Sequence, residues 1–484
     1  QVHKCLLKAE RTSLMNILTH KRPEFANIFM DDLFRSYSDV RARSIEGIKG
    51  FSNYMSMIEG VDNATNNLAL SILRRFIEKT DLEFRNSPER IKKYHVKSTH
   101  KRTIMTVFGP LTFNKTFYTD KYSKRPYCYV DDFFGFEKYG RFDIHVKSLV
   151  LEACSDMSMA AAGRKVSGMI GRRTGTGMKD CNISRQTART IVRKFNLPYV
   201  STQIKDSTPD TLFIMMDEKF IPLQREPDGK AMVHHAVVFE SIELVRGHTK
   251  RKELVQKRSF ASRDLNVLNM EICDYIYGSY DAGKIRDIYV MGDGAKWIRA
   301  SAGEYSMDGC RVLFALDKFH FLKALKLIFL DKEKEDAALA KVLDGDRRGF
   351  FSMCEEMLSQ RPDRSDIITQ KTKYIKNNWN AARLSYRKNL KCCMEGQISH
   401  NIAAVLTARP GAYSLKTLDK LLELRTAYRN GADIKKMYLD SFSYRKKKHR
   451  TPDYDFSIFD MFYGKETSRL GRPENINFLS GGYA

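Results

Sequence analysis

The chain holds 484 residues, 42% of them hydrophobic, which is enough for about three cored domains. Its 83 Lys and Arg outweigh 58 Asp and Glu, a formal charge of +25; that excess suits a polyanionic partner, most simply nucleic acid, or else only a solvated basic surface. No uninterrupted run of roughly 18 apolar residues occurs, which excludes a membrane-spanning helix, and nine cysteines without a CxxC pair argue against a zinc ribbon or a disulfide framework.

Unpaired cysteines suit a reduced cytoplasm, and with a DNA partner the expected location is nucleoid-associated. The chain opens on Gln1 with no secretory pattern, so a few further residues are expected ahead of it. Residues 1–100 are read as a helical region. Leu14, Ile17 and Leu18, then Ile28, Phe29, Leu33 and Phe34, recur at helical spacing, and Leu68, Leu70, Ile72, Leu73 and Ile77 form a less regular set. Pro23 and the polar stretch Asp62–Thr65 are expected breaks.

In residues 101–140 the period changes to two. Thr103–Val107 and Leu111–Tyr118 flank Phe108-Gly109-Pro110, which predicts a β-hairpin. Lys101, Arg102, Lys115 and Lys121 decorate it, either to lie on phosphate or to form a charged solvent face. Residues 141–205 are expected to be a helical DNA-binding unit. Ile144–Cys154 is amphipathic, and a second helix starts near Ser158. A Gly- and Arg-rich loop over 168–177 carries Arg172 and Arg173. Ser184 then caps a helix bearing Arg185, Gln186, Arg189 and Arg193. A capped helix with Arg and Gln near its N-terminus suits the major groove, although the loop is longer than a helix-turn-helix turn and a plain basic surface helix has the same pattern.

The central stretch is Thr211–Gln224. Its apolar run Leu212–Met216 predicts a strand buried on both faces, and Asp217 follows directly. Burying an acid there costs several kcal/mol unless something neutralises it. Asp217 is therefore either a metal ligand or a solvated strand-end acid. Further strands are expected at Met232–Phe239, Glu253–Phe260, Ile288–Met291 and Arg311–Leu316, with an exposed turn at Arg246–His248 and a helix over Leu265–Tyr277. Domain limits follow from these patterns: a core in two parts, 206–330 and 391–435, interrupted by a helical insertion at 331–390 and trailed by a basic tail, 436–484. Within the second part, Glu395 to about Leu406 is helical, and Ser414 caps a helix ended by Asn430-Gly431. The tail run Arg445–Arg450 either binds nucleic acid or is merely solvated.

Three strands, a helix, a fourth strand ending in an acid, a fifth strand and a helical insertion make the element order of a ribonuclease H-like fold. That fold carries one acid mid-way along its first strand and another at the end of its fourth, where Asp217 and Asp293 stand. The expected class is therefore α+β and multidomain: a ribonuclease H-like mixed-sheet catalytic core with an all-helical insertion, preceded by helical and β-hairpin DNA-binding regions. In-line phosphodiester chemistry is served by two Mg²⁺ ions about 3.5–4 Å apart, with Mn²⁺ able to substitute, and such hard ions take carboxylates. Glu395, at the head of a helix beside Gly396, is the best third acid; Glu218 points to the other face of its strand, and Glu355 and Glu356 read as surface acids. Asp317 and His320 form a D-x-x-H pair on one helix face after the fifth strand, which is also what a helix-start Asp and a satisfied His would give. Lys296 could contact a phosphate, and Trp297 could stack on a base or belong to the core.

At these residues the chain resembles the ISLre-type bacterial insertion-sequence transposases, relatives of the Mutator-like DDE transposases. The resemblance rests on GDGAKWI (292–298), LDKFHFLKAL (316–325) and MEGQISHNIAAVLTARPGAYS (394–414), and reaches upstream to RTIMTVFGPLTFNKTFYTDK (102–121), VDDFFGF (130–136) and SRQTARTIVRKF (184–195). It implies a triad of Asp217, Asp293 and Glu395, and that Asp317-x-x-His320 corresponds to the C/D-x-x-H signature of the Mutator-like enzymes. The segment around Asp217 and the charged insertion depart most from the family. The implied activity is a transposase that cuts double-stranded element ends and joins their 3′-hydroxyls to target DNA, working as a homodimer or larger assembly, with His320 positioning a strand or supporting the metals. A structure-specific nuclease without strand transfer, or a domesticated DNA-binding protein, would carry the same residues.

Overall fold

The computed structural model describes residues 54–174, 181–198, 204–407 and 411–447. The expected helices around Leu14–Phe34, the break at Pro23 and most of the basic tail lie outside them. The chain divides into two units, each described by itself.

The smaller unit comprises residues 74–102, 112–140 and 439–447. Helix α1 (Tyr54–Asn86) supplies its first part and runs unbroken through Asp62–Thr65, where a break was expected. A short helix α2 (Pro88–Lys93) follows, its N-terminus capped by Ser87, whose Oγ accepts from Arg90 N–H at 3.2 Å. Strands β1 (Tyr94–Thr106), β2 (Gly109–Asp120) and β3 (Pro126–Tyr127) form a three-stranded sheet in that order. The strand thus starts at Tyr94, ahead of the expected helix end near residue 100. Phe84, Tyr94 and Tyr118 form the buried centre, with Tyr129 of helix α3 (Tyr129–Phe134) stacked on Phe84 at 3.9 Å. The hairpin's cations are largely consumed within the unit. Arg102 and the buried Lys115 both pair with Asp131, and Lys121 Nζ donates to the Ile91 carbonyl. Lys101 is exposed.

The larger unit begins its described core with three helices, α4 (Ile144–Asp156), α5 (Met159–Thr174) and α6 (Arg185–Lys194). Asp143 caps the first and Ser184 the third, as the sequence suggests for Ser184. Helix α5 extends through the first half of the stretch expected to be an Arg-rich loop. Gly163 is required on α5 because the Ile183 carbonyl packs where a Cβ would stand.

A five-stranded sheet follows. Its strands are β4 (Thr211–Pro222), β5 (Lys230–Phe239), β8 (Arg258–Ser262), β9 (Asp287–Gly292) and β10 (Arg311–Leu316). The order is β10-β9-β4-β5-β8. β4 pairs parallel with β9 and antiparallel with β5, while β10 and β8 continue the parallel and antiparallel sides. The third strand is not the continuous Glu253–Phe260 expected. Gln256, at φ 52°, breaks it into β7 (Lys252–Val255) and β8, and β7 pairs instead with β6 (Ser241–Leu244) in a separate ribbon. The expected turn at Gly247, φ 81°, closes that ribbon.

The sheet is covered on both faces, which explains the near-continuous apolar runs of its central strands. Leu212, Ile214 and Met216 face helices α7 (Leu265–Ser279) and α8 (Lys296–Glu304), while Phe213 and Met215 face the other way. Helices α9 (Lys318–Phe329), α10 (Lys332–Asp344), α11 (Arg347–Gln360) and α12 (Ser365–Arg387) form a cluster that meets the sheet at β10, and Leu384 of α12 also reaches the second face. These four share one apolar core that also takes Leu316 of β10, so the helical cluster starts ahead of residue 331 and is continuous with the sheet. The chain returns through α13 (Met394–Ile398), a π-helical turn at Ser399–Ala403 and α14 (Ala404–Leu406). Helix α15 (Leu415–Arg429) then packs against α4 and α6, and α16 (Ile434–Lys447) follows.

Candidate functional site

Alternation along β4 sends Asp217 to the same face as Met215, towards α12 and α13, and Glu218 to the opposite face. On β9, Met291 lies opposite Met215, so Asp293, just past the strand end, comes beside Asp217. Two glycines make this approach possible. A Cβ at Gly292 would meet Ile298 and the Met216 carbonyl, and Gly294 sits at φ 93° against Asn378. The Asp293 carboxylate accepts from Ala295 N–H at 2.9 Å, and its backbone carbonyl accepts from Tyr374 Oη–H at 2.6 Å.

The Asp217 carboxylate accepts from its neighbour Glu218 N–H at 2.8 Å. Burial pushes its pKa up to about 6; the charges of Asp293 and Glu218 add to that, and His320 opposes it. His235, in register with Asp217 on β5, does not neutralise it. Complete burial drives that imidazole down to about 3, so it stays uncharged, hydrogen-bonded to Asn401 Nδ2 at 3.3 Å. Asp317 caps α9 by accepting from Phe319 N–H at 2.9 Å, and burial raises its pKa, with His320 and Asp293 both within electrostatic reach. Asp217, Asp293, Asp317 and His320 therefore converge at one edge of the sheet. Cys392, also near the charges of Asp317 and Asp217, and Tyr374 join them. Neither of these two carries a sequence signal of its own; they come from α12 and the segment after it.

Glu395 stands apart. Its helix α13 packs on β4 and β5, with Met394 buried beside Met215, but the Glu395 side chain is exposed and has open space beside Gly396. Among the described residues, no three His, Cys, Asp or Glu side chains stand close enough to form a metal-holding group. Asp217 and Asp293, on adjacent strands, offer the hard oxygen donors that Mg²⁺ prefers, and Asp317 stands beside them. The three-carboxylate set expected for two ions is not drawn together among the described residues.

Arg185 and Gln186 are exposed and Arg189 is half-buried on one side of α6. They line a cavity of about 270 Å³ with Gln224, Tyr413 and Thr417, while Ala188, Ile191 and Val192 bury the helix's other side. Arg193 lies half-buried one turn further on. The backbones of Arg172 and Arg173 belong to α5, and their side chains lie outside the described set. Lys296 is exposed in the first turn of α8. Trp297 points away from Asp217: its Nε1–H donates to Glu218 Oε2 at 2.7 Å and its ring meets His234 edge-on at 4.5 Å.

A family model described as "Uncharacterised protein family (UPF0236)" matches residues 49–441. Among curated proteins, UPF0236 protein TTE2489 of Caldanaerobacter subterraneus subsp. tengcongensis is 25% identical over 409 residues, covering 82% of this chain and 84% of that protein. UPF0236 protein TTE1650/TTE2708 of the same organism is 24% identical over 456 residues, 90% of this chain and 88% of its own. A third relative from that organism, 24% identical over 397 residues (81% of each chain), bears a name joining eleven locus designations, TTE0033 to TTE2212.

Proposed function

This chain belongs to the UPF0236 family, and from that premise and the acidic sheet edge we propose that it is a DDE-type DNA transposase of the ISLre-type insertion sequences. The observation that carries this reading is the pairing of Asp217 with Asp293. Two carboxylates on adjacent central strands, one held near 6 by burial and by the other's charge, form a site suited to a hard divalent cation. The strand order β10-β9-β4-β5-β8, with one acid mid-strand on β4 and the other at the end of β9, supports a ribonuclease H-like core. A relative recorded at eleven loci of one genome has the multiplicity that a self-propagating element leaves. The net charge of +25 suits a DNA partner.

In this reading Asp217 and Asp293 hold Mg²⁺, with Glu395 completing the set when DNA draws α13 inward. When bound, the metal supplies a nucleophile at neutral pH and charge stabilisation at the phosphate. The residues of this chain orient the scissile strand: His320 faces the acids from α9, and Lys296 follows Asp293 on the exposed start of α8. Joining two ends calls for a dimer or larger assembly.

The test is a strand-transfer assay with purified protein, Mg²⁺, a plasmid target and labelled duplexes flanking its own gene. Joined product that vanishes in Asp217→Ala and Glu395→Ala, with binding retained, is the expected result. Cleavage without joining would replace this reading with a structure-specific nuclease. Cutting that survives Asp217→Ala would sink the metal-site assignment.

A further inference from the structure

Beyond the acidic edge, the same face of the sheet carries a second hollow of about 240 Å³. Its floor is apolar: Phe213 and Phe239 are paired across β4 and β5 with rings 5.2 Å apart, and Leu390 is buried beside them. Its rim is cationic. Lys252 comes from β7, and Lys388 and Lys391 come from the segment that leads from α12 to α13.

Three features set this rim apart from ordinary surface lysines. None of the three has a carboxylate partner among the described residues, in contrast to Lys332 and Lys341, which pair with aspartates. Lys252 and Lys391 face each other at hydrogen-bonding range, and that contact, followed by the charge of Lys391, lowers the pKa of Lys252. Lys318 approaches from α9, its Nζ 3.4 Å from Asn389 Oδ1, and feels Lys391 as well. Like charges gathered over an apolar floor without counter-acids leave an unbalanced positive potential, which a ligand anion would relieve.

The position narrows the ligand. Phe213 precedes Asp217 by four residues on one strand and one face, so the hollow lies about 13 Å from the acids. That distance is about four rises of a DNA strand at about 3.4 Å each. Lys391 directly precedes Cys392, whose thiol is within electrostatic reach of Asp217 and Asp317. One continuous segment therefore links the lysine rim to the acidic edge.

We propose that this lysine-rimmed hollow binds a nucleotide unit of single-stranded DNA, its phosphate at Lys252, Lys388 and Lys391 and its base over the Phe213–Phe239 floor, on the strand leading away from the scissile phosphate. Binding itself needs no catalysis; only the register of the strand rests on the transposase reading.

The experiment is fluorescence anisotropy of the full chain with a short labelled single-stranded oligonucleotide in EDTA, across a salt series. The variants are Lys252→Gln/Lys391→Gln and a charge-matched control, Lys332→Gln/Lys341→Gln. The hollow variant should bind roughly tenfold more weakly at low salt, with a salt slope shallower by about 0.7 for each phosphate that is no longer neutralised. The control should match wild type. Equal weakening in both variants, or none in the hollow variant, would overturn the site. Full competition by a deoxynucleoside monophosphate at equal phosphate concentration would overturn the strand in favour of a free nucleotide. Because EDTA keeps divalent metal out of the assay, failure here leaves the Asp217 test untouched, and loss of strand transfer does not bear on this binding.

Discussion

Substituting Asp217 by Asn should stabilise the metal-free protein while abolishing cleavage. The carboxyl titrates near 6 in the folded chain against an ordinary 3.8, chiefly because burial disfavours its charged form. A folded-state pKa raised in this way means that the native protein binds the proton more tightly than the unfolded chain. The penalty is complete above about pH 6, shrinks as pH falls through the window between 6 and 3.8, and is gone below it. A separation of that size corresponds to about 3 kcal/mol at pH 7.5, and for a half-buried carboxyl we discount it to about 2 kcal/mol for solvent screening. In a unit of this size that is a rise in Tm of roughly 2–3 °C. The assay is differential scanning fluorimetry of wild type and Asp217→Asn from pH 7.5 to 4.5 in EDTA, read as the difference between the two proteins so that shared titrations cancel. Adding Mg²⁺ should raise the wild-type Tm and leave the variant unmoved, since only the wild type gains a folded-state ligand. A difference that stays flat across the pH range would refute the buried-acid reasoning, and Mg²⁺ stabilising both proteins equally would remove Asp217 from the metal site.

Two other substitutions test the surroundings. Arg425 is 1% exposed, and its guanidinium donates to the carbonyls of Asn401 at 2.9 Å and Ser155 at 2.8 Å, tying the π-helical turn to α4. Arg425→Met should strand those two acceptors at about 1–3 kcal/mol each and lower the Tm by several degrees; an unchanged melt would show that the turn does not depend on it. Arg185→Gln/Arg189→Gln should weaken duplex binding about tenfold and flatten its salt slope by about 2, with cutting restored at saturating DNA. A variant that binds normally would remove the α6 cavity from the DNA path.

Much of the fold is legible because the local signals agree. The β4 run Leu212–Met216, the capped helices after Ser184 and Asp317, and the Arg311–Leu316 strand all appear where period and punctuation put them. The misses have separate causes. Val255-Gln256-Lys257 reads as unbroken strand because a left-handed φ at Gln256 leaves no mark that only Gly or Asn would leave. Asp62–Thr65 looks like a helix break by composition, yet α1 runs through it and through Gly60 just ahead, since no Pro stands in the helix and a single Gly costs only about 1 kcal/mol. Lys115 reads as surface charge, whereas its partner Asp131 is sixteen residues away on a different element.

The acidic edge divides along the same line. Asp217 and Asp293 are legible because each ends or interrupts an apolar strand, and two parallel neighbours must bring such positions together. Gly292 and Gly294 strengthen the case for a physical reason: one admits the Met216 carbonyl and the other adopts φ 93°, so the turn that aims Asp293 cannot be built from other residues without strain. Glu395 has no such geometric tie. It sits on a five-residue helix anchored by the buried Met394 and followed by a π turn that Arg425 holds through the Asn401 carbonyl. The proposed role of Glu395 as third carboxylate rests on a short helix and not on the sheet. Glu395 therefore enters the site only through the proposed function, as an exposed side chain on α13 that strand geometry does not tie to Asp217 and Asp293.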